Sequence, residues 1–131
     1  MVSTRRRLIT RSGLFLVFAA TLYGCGKPQS PESIVESSYR AIGKGEITEA
    51  KSYLSAQVVG MLGDAKLSAV LASQSQKIAS CGGIKNVEVK LQGEGEVRAG
   101  TATVTFGGTC PPKTDNVKLL KENGKWKITG D

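Results

Sequence analysis

The sequence predicts an α+β domain, with N-terminal helices packed on a curved four-stranded antiparallel sheet. Three observations predict it. Between residues 30 and 83 apolar side chains recur at helical spacing and are interrupted by glycines. Beyond Gly83 the period switches to two. Near the end, "NVKLLKENGKWKIT" places Asn-Gly between two alternating runs, the pattern of a two-residue antiparallel hairpin. Helices first and strands after put the helices together against one face of the sheet.

The elements follow in order. Ser30 is placed to cap the first helix, Pro31 suits its first turn, and Glu32 complements the helix dipole. Ile34, Val35, Tyr39 and Ile42 form one apolar stripe, which Gly43 and Gly45 end. "EITEAKSYLS" reads as a short second helix with Ile47, Ala50, Tyr53 and Leu54 on one face. "AQVVGMLGD" does not commit to a helix, because Gly60 and Gly63 weaken one. Asp64 is the candidate cap of a third, longer helix, along which Leu67, Val70, Leu71, Gln74 and Ile78 keep helical spacing with one polar lapse. Gly82 and Gly83 stop it. In "NVEVKLQ", Val87, Val89 and Leu91 share one face and Glu88 and Lys90 the other. "GTATVTFGG" alternates through Ala102, Val104 and Phe106. With Asn123 and Gly124 at the turn, Leu119 faces Ile128 and Lys121 faces Trp126, so Val117, Leu119, Trp126 and Ile128 share a face.

The N-terminal stretch is of another kind. Arg5, Arg6, Arg7 and Arg11 precede the uncharged run "GLFLVFAATLYG". A basic head, a short apolar segment and small residues at its exit make a secretory signal. The run is shorter than the roughly 20 apolar residues of a membrane-spanning helix. Its terminal position and clustered arginines weigh against a buried core helix. Arg5 and Arg6 in "TRRRLIT" also resemble a twin-arginine export signal, but such clusters are common in basic heads, and general secretion is the favoured route.

The exit "LYGC" resembles the lipobox of bacterial lipoproteins, with Leu22 at its large apolar position. Tyr23 departs from the small residue usual there. The resemblance implies cleavage between Gly24 and Cys25, a diacylglycerol on the Cys25 thiol, and fatty acyl chains such as palmitate. Two or three chains on one residue suffice for stable anchoring. The alternative is an ordinary secretory signal followed by a free thiol. By the same resemblance, Gly26 permits the outer membrane. The chain then divides into a signal peptide (residues 1–24), the lipidated Cys25 with a short tether (25–31) and a single α+β domain (32–131).

With Cys25 lipidated, Cys81 and Cys110 remain as an even pair, and an exported domain would join them in a disulfide. Closing a loop of about 30 residues contributes roughly 3–4 kcal/mol by the chain-entropy argument. The net charge of +7 falls to +3 from residue 25 onward, where fourteen basic residues are interleaved with eleven acids. That is no nucleic-acid footprint. A weak attraction to anionic head groups is compatible with it.

From residue 30 to 129 the chain resembles bacterial lipoproteins of no agreed activity with a nuclear-transport-factor-2-like (cystatin-like) fold. "SPESIVESSYRAIGKGEITEAKSYLS", "GGIKNVEVKL" and "VKLLKENGKWKI" carry the resemblance. It implies a helical hairpin, a third helix and a four-stranded curved sheet forming a cone, and it carries over no catalytic residues.

The chemistry legible in the residues is sparse. There is no His, which excludes Ser-His and Cys-His nucleophile pairs and a zinc site completed by imidazole. Catalysis inside a cone needs an inward carboxylate, but Glu88 and Glu122 alternate away from the apolar positions, and Glu94 and Glu96 fall in the Gly-broken "GEGEV". That stretch lacks a phosphate-loop lysine and sits between strands. Tyr39, Tyr53, Phe106 and Trp126 are the candidates for lining an apolar pocket. The competing reading is that they fill the core. The expectation is a non-enzymatic envelope lipoprotein, without cofactor or metal, that meets the membrane through Cys25 and binds an envelope protein or a small apolar ligand. The alternative is a lipid-anchored isomerase- or hydrolase-like enzyme using a pocket carboxylate and tyrosine.

Overall fold

The computed structural model describes residues 29–130. Four helices, α1 (Pro31–Gly43), α2 (Ile47–Ser52), α3 (Ala56–Leu62) and α4 (Asp64–Ser80), precede four strands, β1 (Ile84–Gln92), β2 (Val97–Phe106), β3 (Lys113–Glu122) and β4 (Lys125–Thr129). The strands form one antiparallel sheet in the order β1-β2-β3-β4. The expected α+β class is therefore the observed one. The stretch expected to be a signal and lipobox, with Cys25, lies outside the described residues.

The helices start and stop largely where their residues dictate. The Ser30 hydroxyl accepts from the Ser33 amide at 3.1 Å and Pro31 opens α1, so Pro31 belongs to the helix rather than to the tether. Ile34, Val35, Ser38 and Ala41 face inward. Ser38 and Ala41 join the expected stripe because a small residue lets neighbouring elements approach, while Tyr39 and Ile42 are only half-buried.

Two expectations are corrected. Residues 56–62 do form a helix, α3, because Ser55 caps it by accepting from the Val58 amide at 3.3 Å. The helix runs through Gly60 and ends at Gly63, and none of its residues is fully buried. Asp64 is not the cap of the long helix. Gly63 holds that position at φ +80°, and Asp64, already helical, takes the Lys51 ammonium at 2.6 Å.

The hairpin register is as read: Leu119 pairs with Ile128 and Lys121 with Trp126. Asn123 at φ 52° and Gly124 at φ 79° make the turn. One face of the sheet presents Val87, Ala102, Val104, Leu119 and Trp126 to the helices. The first of two core clusters joins Ile34 and Val35 of α1 to Ala102, Leu119 and Trp126. The second lies among the helices, around Ala41, Ala50, Leu67 and Leu71.

Cys81 and Cys110 are joined in the expected disulfide, with Cα atoms 5.4 Å apart. It ties the end of α4 to the β2–β3 loop. Beside it the Gly108 amide donates to Cys81 O at 2.8 Å and the Gly107 amide to Gly83 O at 2.9 Å. A side chain on Gly82 would strike the backbone of Gly108. The crossing lies where β1 begins and β2 ends.

Candidate functional site

The candidate site is a polar pair set into the helix-covered face. On β3, Asp115 stands two residues before Val117 and four before Leu119, so it shares their face. Its backbone is paired with Ala102, which is fully buried. From α1, the Tyr39 hydroxyl donates to Asp115 Oδ2 at 2.7 Å across 76 positions of sequence. Lys113 Nζ lies 3.5 Å from Oδ1 of the same carboxylate. Asp115 is 31% exposed and Lys113 57%, so the group stands at the rim of the apolar interior rather than within it.

Burial first, then the hydrogen bond to Asp115 and its negative charge, push the Tyr39 phenol well above the ordinary tyrosine value. Tyr39 is therefore a neutral donor throughout the physiological range. It holds no phenolate for use as base or nucleophile, and its proton is committed to Asp115.

Glu88 is 61% exposed on the outer face, and Glu94 and Glu96 are exposed in the β1–β2 turn. The Glu122 carboxylate accepts from the Ala56 amide at 3.1 Å. The inward carboxylate is Asp115, which the sequence reading missed. It started the strand at Asn116, and extending the 119–117 alternation one step further back would have found it.

Tyr39, Tyr53 and Trp126 are brought to the same apolar cluster. Phe106 is not; it ends β2, opposite Ile84 of β1. Trp126 is 8% exposed, and its ring lies 5.0 Å from the Arg98 guanidinium carbon and 5.4 Å from Lys121 Nζ. Among the described residues no three His, Cys, Asp or Glu side chains stand together as a metal site. No helix among them is long and apolar enough to cross a membrane.

No family model matches the chain, and no curated protein matches it in sequence. Solved structures do match. A Campylobacter jejuni protein, provisionally described as an NTF2-like transpeptidase, superposes with a TM-score of 0.66 at 18% identity, over 79% of this chain and 100% of that one. A SEC-C motif protein from Rhodopseudomonas palustris gives a TM-score of 0.56 at 16% identity, over 77% of this chain and 76% of that one. At these identities the likeness is one of fold: the domain has the NTF2-like α+β architecture.

Proposed function

We propose that the chain is a lipid-anchored protein of the bacterial cell envelope whose domain acts by binding, not by catalysis. The observation that carries the reading is the Cys81–Cys110 disulfide. Such bonds persist in oxidising compartments, which fits export through the basic and apolar N-terminal stretch. It also leaves Cys25, in "LYGC", as the one cysteine outside the pair.

The inner face supports a role other than catalysis. Aliphatic side chains, Tyr39, Tyr53 and Trp126 pack there, and the inward carboxylate of Asp115 accepts from the Tyr39 hydroxyl, whose proton is thereby committed. Lipid on Cys25 would hold the domain at the membrane, facing the periplasm or the exterior, with Gly26 permitting the outer membrane. An envelope protein or a small apolar ligand would be its partner. Cys25→Ser in the full chain should release the protein from membranes on fractionation and abolish incorporation of labelled palmitate. Continued attachment of that variant would overturn the anchor.

A second reading is favoured by one observation. A carboxylate beside a tyrosine on the inner face, Asp115 with Tyr39, is the minimum a lipid-anchored isomerase- or hydrolase-like enzyme would need. Turnover of ester or ketone substrates by the full chain, lost in Asp115→Asn, would establish that reading in place of the first.

A further inference from the structure

We propose that β1 pairs antiparallel with β1 of a second copy of this chain, centred on Val89, joining two sheets into one of eight strands. The site is the outer edge of β1. This strand ends the sheet, and among the described residues no backbone hydrogen bond from a turn, loop or helix reaches positions 85–92. An open edge is a template for a further strand. The bulge lies at its start, between Ile84 and Asn86, and leaves residues 86–92 regular.

What selects the occupant is the sequence of that edge. A two-fold axis through Val89, perpendicular to the sheet, sets residues at equal distances from it opposite each other. "NVEVKLQ" then pairs with itself row by row: Asn86 with Gln92, Val87 with Leu91, Glu88 with Lys90, Val89 with Val89. The two amide rows and two ion-pair rows fall on the outer face. Glu88 and Lys90 are 61% and 76% exposed there. The three apolar rows fall on the helix-covered face, where Val89 and Leu91 are only partly buried in the single chain. The apolar interiors of the two copies would thus run into one another across the junction.

Neighbouring registers fail. Centring on Glu88 sets Glu88 against Glu88, and centring on Lys90 sets Lys90 against Lys90; like charges directly opposite destabilise a strand pair. Centring between two residues would place the helix-covered faces on opposite sides. The charges therefore fix register and partner more than they add affinity.

The test is sedimentation equilibrium of the full chain in neutral detergent micelles. A dimer is expected for the chain as it stands. Glu88→Lys alone and Lys90→Glu alone should each weaken it by roughly 30-fold, since two attractive rows become repulsive. An equimolar mixture of the two variants should restore it as a heterodimer, and so should the double exchange within one chain. Both side chains are in solvent, so the fold should be unaffected, which circular dichroism would check. A monomer at millimolar protein would overturn the proposal. So would a dimer indifferent to the single exchanges, or one abolished instead by Met61→Ser on the exposed surface of α3.

Discussion

β4, at one edge of the sheet, is covered by its own chain, while β1, at the other, lies open among the described residues. The Ser55 amide donates to Ile128 O and the Ile128 amide to Tyr53 O, both at 2.8 Å, so residues 53–55 act as a short parallel strand. The Ser55 hydroxyl, fully buried, donates to Thr129 Oγ1 at 3.0 Å, and the Glu122 carboxylate accepts from the Ala56 amide. β1 has its hairpin partner β2 on one side and α1 across its face. The difference shows where this domain closes itself. The five-residue strand is secured by long-range bonds with residues 53–55, and the nine-residue strand keeps its place by register, with no backbone bond from the described turns, loops or helices on its outer side.

The severest way to break the comparison is to strip the covered edge of its anchor. Trp126 supplies the largest side chain of β4 and is buried in the core cluster under Arg98 and Lys121. Trp126→Ala should cost about 3–5 kcal/mol in urea unfolding and should expose the Ile128 amide to rapid hydrogen exchange while β1 and β2 stay protected. Loss of protection across the whole sheet at once would mean that the two edges are not separate units.

Next in size is the staple on the β1 side. Cys81 and Cys110 are 29 positions apart. Opening the bond with Cys81→Ser and Cys110→Ser together should cost roughly 3–4 kcal/mol. The loss should centre on the Gly82–Gly108 crossing, read by exchange of the Gly107 and Gly108 amides, and should leave the Ser55–Ile128 bonds intact. Smaller again is Ser55→Ala, which removes both the cap of α3 and the bond to Thr129. About 1–2 kcal/mol is expected, with Ile128 exchange quickened because the covering segment is loosened. An unchanged rate would show that the backbone bonds alone hold that edge.

How much of this was legible in the sequence depends on the range of the interaction. The β3–β4 register could be read because Asn123–Gly124 permits one tight turn and the alternation does the rest. The disulfide followed from cysteine parity. α1 announced itself through Ser30, Pro31 and the following stripe. α3 did not, since its seven residues bury none of their number and its stability comes from the Ser55 cap and from Glu122 across the fold. Asp64 looked like a cap because Asp before an apolar run commonly is one; its actual partner, Lys51, is distant in sequence. Asp115 was missed for a related reason. A charged residue at a strand's start signals solvent unless its partner is known, and Tyr39 lies on another element altogether.

That pair sets the smallest effect. Tyr39–Asp115 ties α1 to β3 in the middle of the sheet, away from both edges. Tyr39→Phe removes one partly buried hydrogen bond and keeps the ring, so a loss of about 1 kcal/mol near neutral pH is expected. The pH dependence tests whether burial and the carboxylate together hold the proton in place. Burial and the Asp115 carboxylate raise the folded-state value of the phenol above the unfolded one of about 10. The unfolded chain then releases the proton while the folded chain still holds it. The contribution is complete below about pH 10 and is lost as pH rises beyond it. Melting temperature should fall more steeply above pH 10 in the native chain than in Tyr39→Phe, bringing the two curves together. Parallel curves would mean that neither burial nor Asp115 holds the tyrosine proton. The pair would then be a contact of shape alone, and the middle of the sheet would differ from its edges only in burial.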